Sequence, residues 1–310
     1  MRMTNSASFP PPSALARDLV KGAYDLHVHS GPDVIKRIGH DIEIAQKFRD
    51  AGLGGYVAKS HYAPTAGRAA LAREMVPEVN VIGAICLNQA VGGMNPIAVE
   101  MAAREGGKVV WFPTVDAENE PVGRMPPVPG ANIPFWAHMQ HQLRDEGVFS
   151  EAVPVVDAGM NLLPETELVL KSIAKHDMIL ATAHLNRDEI FAVVDGALAA
   201  GVKRIVITHP EFPTQNLSKE DQALLAEKGA FLEHCIASIF FKKYSWELVF
   251  ENIRHTGIDQ CYFASDLGQP TKPPIEDGLA IAADMALAAG FSKDEVHRMI
   301  VTNTKRLIEG

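Results

Sequence analysis

Short apolar runs alternate with longer amphipathic stretches along most of this chain. The short runs are rich in β-branched and other apolar residues, and most of them end in a polar side chain, as buried strands of a parallel sheet do. There are eight such runs, at residues 24–29, 55–61, 81–88, 108–115, 178–184, 204–209, 230–234 and 260–266. The stretches between them carry apolar residues three and four positions apart, which predicts helices.

The predicted helices cover residues 41–51, 67–76, 96–105, 165–175, 187–199, 219–228, 246–255 and 275–289. Strands that alternate with helices of this length predict βαβ units and a parallel sheet. An open doubly wound sheet is the competing architecture, but no G-x-G-x-x-G follows the first run and polar residues end many runs rather than one. We therefore predict an α/β fold, a (β/α)₈ TIM barrel. It forms a single domain over residues 24–310, after an N-terminal extension of residues 1–23.

One connection is much longer than the others. About 70 residues separate the starts of the fourth and fifth runs, whereas the other starts are about 25 to 31 residues apart. The excess, at about residues 116–164, is rich in proline and glycine and contains a helix-like piece at 136–144. Irregular segments of this length are usually functional, so we predict a lid-like insertion over the barrel mouth. A peripheral excursion or an oligomer contact is the alternative.

Composition narrows the classes of function. The chain is 47% hydrophobic and 22% charged, which is typical of a globular protein. Its net charge of −9 has no long basic run, which disfavours nucleic-acid and anionic membrane partners. The three cysteines, Cys86, Cys235 and Cys261, form no C-x-x-C pair and suit a reducing compartment. With no apolar leader or membrane span in the sequence, we expect a cytoplasmic protein that binds a small-molecule substrate.

Histidines supply the strongest chemical signal. In a (β/α)₈ barrel the functional groups lie at the C-terminal ends of the strands, where the βα loops converge. His27 and His29 end the first run two residues apart, so a period of two points both inward. The same period predicts that Leu26 and Val28 face the surrounding helices.

Three further polar residues end strands in the same way. His184 and His209 end the neighbouring fifth and sixth runs, and Asp266 ends the eighth. The eighth strand of such a barrel lies beside the first, so we expect Asp266 next to the histidine pair. A carboxylate there is costly unless it is paired or binds a metal. Imidazole and carboxylate ligands suit Zn²⁺, Mn²⁺ or Fe²⁺ better than Ca²⁺ or Mg²⁺.

Four histidines and one aspartate on strands 1, 5, 6 and 8 resemble the ligand pattern of the amidohydrolase superfamily over most of the chain. Residues 301–307 are similar to the Asn-Pro-Ala-Arg-Leu segment that closes many of those barrels, with Thr304 in place of the proline. The segment at residues 264–269 resembles the corresponding segment of the phosphotriesterase-like branch of that superfamily. The resemblance implies one or two divalent metal ions, zinc before manganese or iron, and a homo-oligomer.

The same resemblance implies a hydrolase that cleaves a small amide, lactam, lactone or ester with a metal-activated water. Asp266 is then the catalytic residue that accepts and returns the proton. Phosphoesterase or phosphotriesterase-like hydrolysis is the first alternative, and metal-dependent decarboxylation or isomerisation is the second. A barrel that keeps a purely structural metal is the non-enzyme alternative, although structural zinc sites often include cysteine.

The chain departs from two-metal members of that superfamily at strand 4. Those members commonly bridge their ions with a carboxylated lysine or a glutamate there, and residues 109–114 of the fourth run include neither. The inward lysine is Lys59 on the second run, on the same face as His61. Burial near cations favours the neutral amine that CO₂ can carboxylate, so Lys59 is the candidate metal bridge. The alternatives are a cation for a substrate carboxylate and a side chain that reaches solvent.

Polar residues at other strand ends are candidate substrate contacts. They stand at the ends of the second, third, fourth and seventh runs and would face the barrel mouth. These predicted contacts are His61, Asn88, Thr114, Glu233 and His234. Ordinary polarity at the rim of the barrel is the alternative for each of them.

Overall fold

Eight parallel strands form the centre of the molecule, in the order in which they occur along the chain. The computed structural model describes residues 9–123, 125, 133–148 and 151–310. The strands are β1 (Tyr24–His29), β2 (Gly55–Lys59), β3 (Asn80–Cys86), β4 (Gly107–Trp111), β5 (Ile179–Ala181), β6 (Arg204–Thr208), β7 (Phe231–Cys235) and β8 (Cys261–Ala264). Each pairs in parallel with the next along the chain.

A short seam between the first and last strands closes the sheet into a barrel. Val28 pairs in parallel with Leu267, just beyond β8. The backbone N–H of His29 donates to the carbonyl of Leu267 at 2.8 Å, and that of Asp266 donates to the carbonyl of His27 at 2.8 Å. The predicted (β/α)₈ barrel is confirmed.

Helices occupy the connections between strands. They are α1 (Ala14–Leu19), α2 (Asp41–Ala51), α3 (Ala66–Met75), α4 (Pro96–Arg104), α5 (Phe135–Asp145), α6 (Pro164–Lys175), α7 (Arg187–Ala199), α8 (Lys219–Glu227), α9 (Ile236–Phe240), α10 (Trp246–Thr256), α11 (Gly278–Ala288), α12 (Lys293–His297) and α13 (Asn303–Glu309). A π-helical turn, Arg298–Thr302, joins α12 to α13. No helix among the described residues is long and apolar enough to cross a membrane.

A bulge in β1 changes which side chains enter the barrel. The register between β1 and β2 shifts between Asp25 and Val28, so β1 carries one residue more than its partner. Leu26 therefore lines the small cavity inside the barrel, together with Trp111 and Glu233. The prediction that Leu26 faces the helices is wrong, because a bulge interrupts the alternation of side chains and redirects them.

The long connection after β4 folds back on itself. Ala117 pairs with Val153 across it. Gln140 of α5 donates to the carbonyl of Val115 at 2.9 Å and to Asp116 Oδ1 at 2.7 Å, which ties α5 to the loop that follows β4. Residues 124, 126–132, 149 and 150 of the predicted insertion lie outside the described residues, as do residues 1–8 of the predicted extension. The lid role stays a prediction.

The C-terminal helix holds the other end of the barrel seam. The Asn303 side-chain amide donates to the carbonyls of Ile258 at 2.8 Å and Cys261 at 2.7 Å. Thr304 Oγ1 accepts the backbone N–H of Tyr24 at 3.3 Å. Since Tyr24 begins β1 and Cys261 begins β8, α13 links these two strands at the end of the barrel opposite the mouth.

Candidate metal centre

Two imidazoles and one carboxylate meet across the seam between β1 and β8. His27 Nε2 lies 3.2 Å and His29 Nε2 lies 3.1 Å from the same oxygen, Asp266 Oδ1. Both histidines are buried, whereas the Asp266 side chain is 19% exposed. Each residue offers a ligand atom, all within 4.8 Å of one another.

His184 and His209 stand beside this group. His184 follows β5 in a turn, and His209 follows β6 directly. Their rings have centroids 5.0 Å apart, and the His209 ring lies 6.3 Å from that of His27. The structure thus brings the five predicted ligands together at the C-terminal end of the barrel, while ligation itself stays a prediction.

The backbone at three of these strand ends has a rare conformation. Ala183, His209 and Asp266 have φ values of 55°, 30° and 51°, in the region that non-glycine residues seldom adopt. Such conformations cost free energy and concentrate at functional sites. Here they turn the chain where His184, His209 and Asp266 reach the mouth.

A buried carboxylate supports His27 from inside the barrel. Glu233 Oε2 lies 3.1 Å from His27 Nδ1, and the Tyr262 hydroxyl donates to Glu233 Oε1 at 2.9 Å. Burial raises the pKa of Glu233 to about 7. Burial, and to a smaller extent the positive charge of Lys59, lower the pKa of His27 to about 3. Glu233 was predicted to contact substrate, but the structure places it behind His27, as carboxylates stand behind metal-bound histidines.

Lys59 points into the same centre. Its side chain is buried, with 1% exposed, so the alternative in which it reaches solvent does not hold. Nζ lies 2.8 Å from His27 Nε2 and 4.8 Å from the centre of the Trp111 ring. Lys59 therefore faces the nitrogen that also faces Asp266, and its role as a metal bridge stays a prediction.

Three predicted substrate contacts form one hydrogen-bonded group. His61 Nδ1 lies 2.8 Å from Thr114 Oγ1, and Asn88 Nδ2 lies 2.6 Å from the same hydroxyl. The His61 ring lies 5.0 Å from that of His29 and 6.4 Å from that of His184. Asn88 and Thr114 are completely buried, so His61 is the member that stands beside the candidate ligands.

A carboxylate that the sequence did not predict lies beside His184. Glu120 Oε1 lies 3.1 Å from His184 Nδ1 and accepts a hydrogen bond from Thr214 Oγ1 at 2.8 Å. Glu120 is buried, with 4% exposed, in the long connection after β4. The sequence offers no signal for this position, because Glu120 lies in an irregular loop where periodicity does not indicate the direction of a side chain.

His234 faces away from the barrel axis. Neighbouring residues of a strand point to opposite sides, so Glu233 enters the barrel and His234 turns toward α10. His234 Nδ1 lies 3.0 Å from Glu211 Oε1, to which Asn252 of α10 also donates at 3.0 Å. Burial opposes protonation, but Glu211 and Cys261 together outweigh it, and the pKa of His234 rises to about 10. This position does not favour the predicted substrate contact.

The residues of the centre fit a divalent cation. Burial lowers the pKa of His27, His29 and His209, so these imidazoles are neutral, which is the form that binds metals. Among the described residues, the buried Nδ1 atoms of His29 and His209 have no hydrogen-bond partner. Buried polar atoms nearly always have partners, and an ion at the site is one explanation for such exceptions.

Solved structures with the same architecture include proteins that are named as hydrolases or peptidases. An amidohydrolase from Pseudomonas aeruginosa is 11% identical, with a TM-score of 0.60 and coverage of 97% of this chain and 98% of its own. A metallo peptidase from Rhodobacter sphaeroides, bound to a phosphinate mimic of the dipeptide L-Ala-D-Ala, is 14% identical, with a TM-score of 0.57 and coverage of 94% and 99%. A Pseudomonas putida protein described as a candidate 2-pyrone-4,6-dicarboxylic acid hydrolase is 15% identical, with a TM-score of 0.58 and coverage of 93% and 97%.

These likenesses define the class: the chain has the amidohydrolase-superfamily fold. Within that class, residues 22–233 match the model of DUF6282, described as a family of unknown function. The chain belongs to the DUF6282 family. No curated protein sequence matches it.

Proposed function

We propose that this DUF6282 protein is a metal-dependent hydrolase that cleaves a small amide, lactam, lactone or ester. The convergence of His27 Nε2 and His29 Nε2 on Asp266 Oδ1 carries the proposal. Two structural neighbours support acyl transfer to water as the class of reaction: the metallo peptidase with its phosphinate mimic of a dipeptide, and the candidate 2-pyrone-4,6-dicarboxylic acid hydrolase.

His27, His29, His184, His209 and Asp266 would hold the cation, for which we propose zinc before manganese or iron. When bound, the cation supplies Lewis acidity to the scissile group and to the attacking water. Asp266 Oδ1 accepts the proton of that water and returns it to the leaving group. The partial exposure of Asp266 suits this role, because the carboxylate is open toward the mouth.

Lys59 would be the bridge if the site holds two ions. Its buried Nζ, 2.8 Å from His27 Nε2, supports a position among the ligands. We propose that it carries a carboxylate derived from CO₂. Intact mass measured under native conditions would then exceed the sequence mass by one CO₂, and Lys59→Met would abolish both this increment and the second metal equivalent. A wild-type mass without the increment would leave Lys59 as an amine and the centre with a single ion.

Metal content and turnover test the central proposal. We expect protein loaded with Zn²⁺ or Mn²⁺ to retain at least one equivalent and to hydrolyse members of a panel of p-nitrophenyl esters, lactams, lactones, dipeptides and phosphodiesters. The variant in which His27 and His29 are both alanine should lose metal and activity, while His255→Ala, on α10, should lose neither. Wild-type protein with well under one equivalent, unaffected by chelation, would overturn the proposal.

The phosphodiesters test the alternative chemistry at the same residues, and gas release from carboxylated substrates tests decarboxylation.

We also propose that the substrate is a small molecule, that the protein forms a homo-oligomer and that it is cytoplasmic. The three cysteines, all free and buried, support a cytoplasmic location. Native mass spectrometry measures the oligomeric state, and fractionation of cells measures the location.

A further inference from the structure

A buried side-chain amide beside the metal centre has an orientation that its backbone partners determine. Asn88 Oδ1 accepts the backbone N–H groups of Thr114 at 2.9 Å and Asp116 at 3.2 Å. The other end of the amide, Nδ2, donates to the carbonyl of His61 at 2.8 Å. Since a backbone N–H only donates and a carbonyl only accepts, the oxygen and nitrogen of Asn88 cannot be exchanged.

The orientation of the Asn88 amide determines whether the Thr114 hydroxyl donates or accepts each of its hydrogen bonds. Asn88 Nδ2 lies 2.6 Å from Thr114 Oγ1, so the hydroxyl accepts this hydrogen bond. Its other polar side-chain neighbour among the described residues is His61 Nδ1, at 2.8 Å. Thr114 is completely buried, and a buried hydroxyl proton without an acceptor costs about 1–3 kcal/mol. The Thr114 hydroxyl therefore donates to His61 Nδ1.

The donated proton defines the form of the imidazole. A ring nitrogen that accepts a hydrogen bond carries no proton, so the proton of His61 is on Nε2. A doubly protonated ring, or one protonated on Nδ1, would give Thr114 Oγ1 two donors to accept and leave its own proton without an acceptor. Nε2 therefore does not bind a metal, because a nitrogen that binds a metal has no proton.

We propose that Asn88 and Thr114 hold His61 as a neutral hydrogen-bond donor, whose Nε2–H stabilises the substrate oxygen that gains negative charge during the reaction. The identity of that reaction rests on the proposed function. The centre of the His61 ring lies 5.0 Å from that of His29 and 6.4 Å from that of His184, so the ring adjoins two candidate ligands. Donors aimed at developing charge are among the largest contributions to catalysis, and a neutral imidazole can serve as one.

Three of the predicted substrate contacts would then have two different roles, one residue that touches the substrate and two that position that residue. His61 is 7% exposed and adjoins the candidate ligands, so it would touch substrate. Asn88 and Thr114 would be positioning residues that act through His61 alone. Replacing either one would change the tautomer of His61 without removing a contact to substrate.

The tautomer can be measured without metal or substrate. In protein labelled with ¹⁵N-histidine, we expect the His61 signals, assigned by their loss in His61→Gln, to show the proton on Nε2. Thr114→Ser keeps the hydroxyl and should keep this pattern, whereas Thr114→Val should populate the other tautomer. A proton on Nδ1 in the wild type would overturn the proposal, as would identical His61 spectra for the valine and serine variants, both folded by circular dichroism.

Inorganic phosphate, a tetrahedral oxyanion, tests the donor role in the metal-loaded protein. Gln can place an amide N–H near the position of Nε2, whereas Phe has no donor. We expect equal metal content in wild type, His61→Gln and His61→Phe, and a perturbed Nε2–H signal when phosphate binds to the wild type. Phosphate affinity should fall about 10- to 100-fold in the Phe variant only, as for a lost hydrogen bond to a charged oxygen.

Two results would overturn the donor role. Loss of metal in both His61 variants would make His61 a ligand, and a Nε2–H signal insensitive to phosphate would show that it faces no oxyanion. Failure of the proposed function is distinguishable, because a protein that hydrolyses nothing would still show the Nε2–H tautomer in the metal-free spectrum.

Discussion

In the proposed mechanism Asp266 both holds the metal and accepts the proton, and one of its oxygens faces both His27 and His29. Asp266→Asn keeps an oxygen that can face both rings but removes the base. We expect kcat to fall about 10²- to 10⁴-fold, the usual contribution of a general base, while most of the metal stays bound. Steady-state rates on a substrate found in the panel, measured beside metal content, provide the check. Turnover close to the wild-type rate would show that another group takes the proton.

Glu233 acts on the centre through His27. Glu233→Gln removes the carboxyl group beside His27 Nδ1, so the imidazole would become a weaker and less firmly oriented ligand of the proposed metal. We expect metal affinity to fall about 10- to 100-fold, as for other carboxylates behind metal-bound histidines. Competition with a chromogenic chelator measures it. The matched control is Glu100→Gln, which also loses an acid 2.9 Å from a histidine, His176, but on the outer helices. Equal loss of affinity in both variants would contradict the role of Glu233.

The sequence predicts the candidate metal ligands, but it does not predict the carboxylates that hydrogen-bond to them. His27, His29, His184, His209 and Asp266 could be proposed because strand ends are recognisable and their side chains converge in a barrel. Glu120 could not, since it comes from a loop whose path no periodicity describes. Glu233 was recognised as a polar strand end, but its partner depends on which side chains share the barrel interior, and that is a tertiary property.

At the level of elements, long periodic segments were predicted well. The helices expected at residues 41–51 and 187–199 begin and end as predicted, because each has a capping box and a continuous apolar stripe. The short helices α1, α9, α12 and α13 have five to seven residues, too few to show a period. The bulge in β1 was not predicted, because one extra residue changes which side chains point inward but leaves the apolar composition of the strand the same.

A buried ion pair joins His234 of β7 to Glu211 in the turn after β6, and Asn252 of α10 donates to the same carboxylate. Because the pKa of His234 is about 10 in the folded chain and about 6.5 when unfolded, its protonation stabilises the fold fully below pH 6.5. That contribution disappears as the pH rises through 10. Glu211→Gln leaves a buried imidazolium without its counter-ion, so we expect a loss of about 3 kcal/mol in the free energy of unfolding at pH 6.

Urea unfolding of wild type and Glu211→Gln at pH 6, 8 and 10.5 measures this difference. We expect it to shrink steadily and to be small at the highest pH. Asn252→Ala, which removes a neutral hydrogen bond to the same carboxylate, is the control and should cost a similar amount at each pH. A difference for Glu211→Gln that does not change with pH would mean that the pair is neutral in the fold.

For the molecule as a whole, the seam between β1 and β8 is where a bound metal should matter most. At the mouth this seam consists of the bridge from Val28 to Leu267, and the candidate ligands His27, His29 and Asp266 lie on its two sides. A cation held by all three would join the first and last strands of the barrel. A ligand that binds only the folded chain at 100 times its Kd adds about 2.7 kcal/mol to the free energy of unfolding. For a chain of this size that corresponds to a rise in Tm of roughly 5 °C.

Calorimetry of apoprotein and of protein with Zn²⁺ at 100 times the measured Kd tests this prediction, and hydrogen exchange locates it. We expect the amides of His29 and Asp266, which form the hydrogen bonds of the seam, to exchange more slowly with metal than without. Thr114→Val should show the same gain in Tm, because it removes none of the candidate ligands His27, His29 and Asp266. The double alanine variant of His27 and His29 should show none. An equal gain in Tm in that double variant would mean that the metal binds at another site and does not stabilise the seam between β1 and β8.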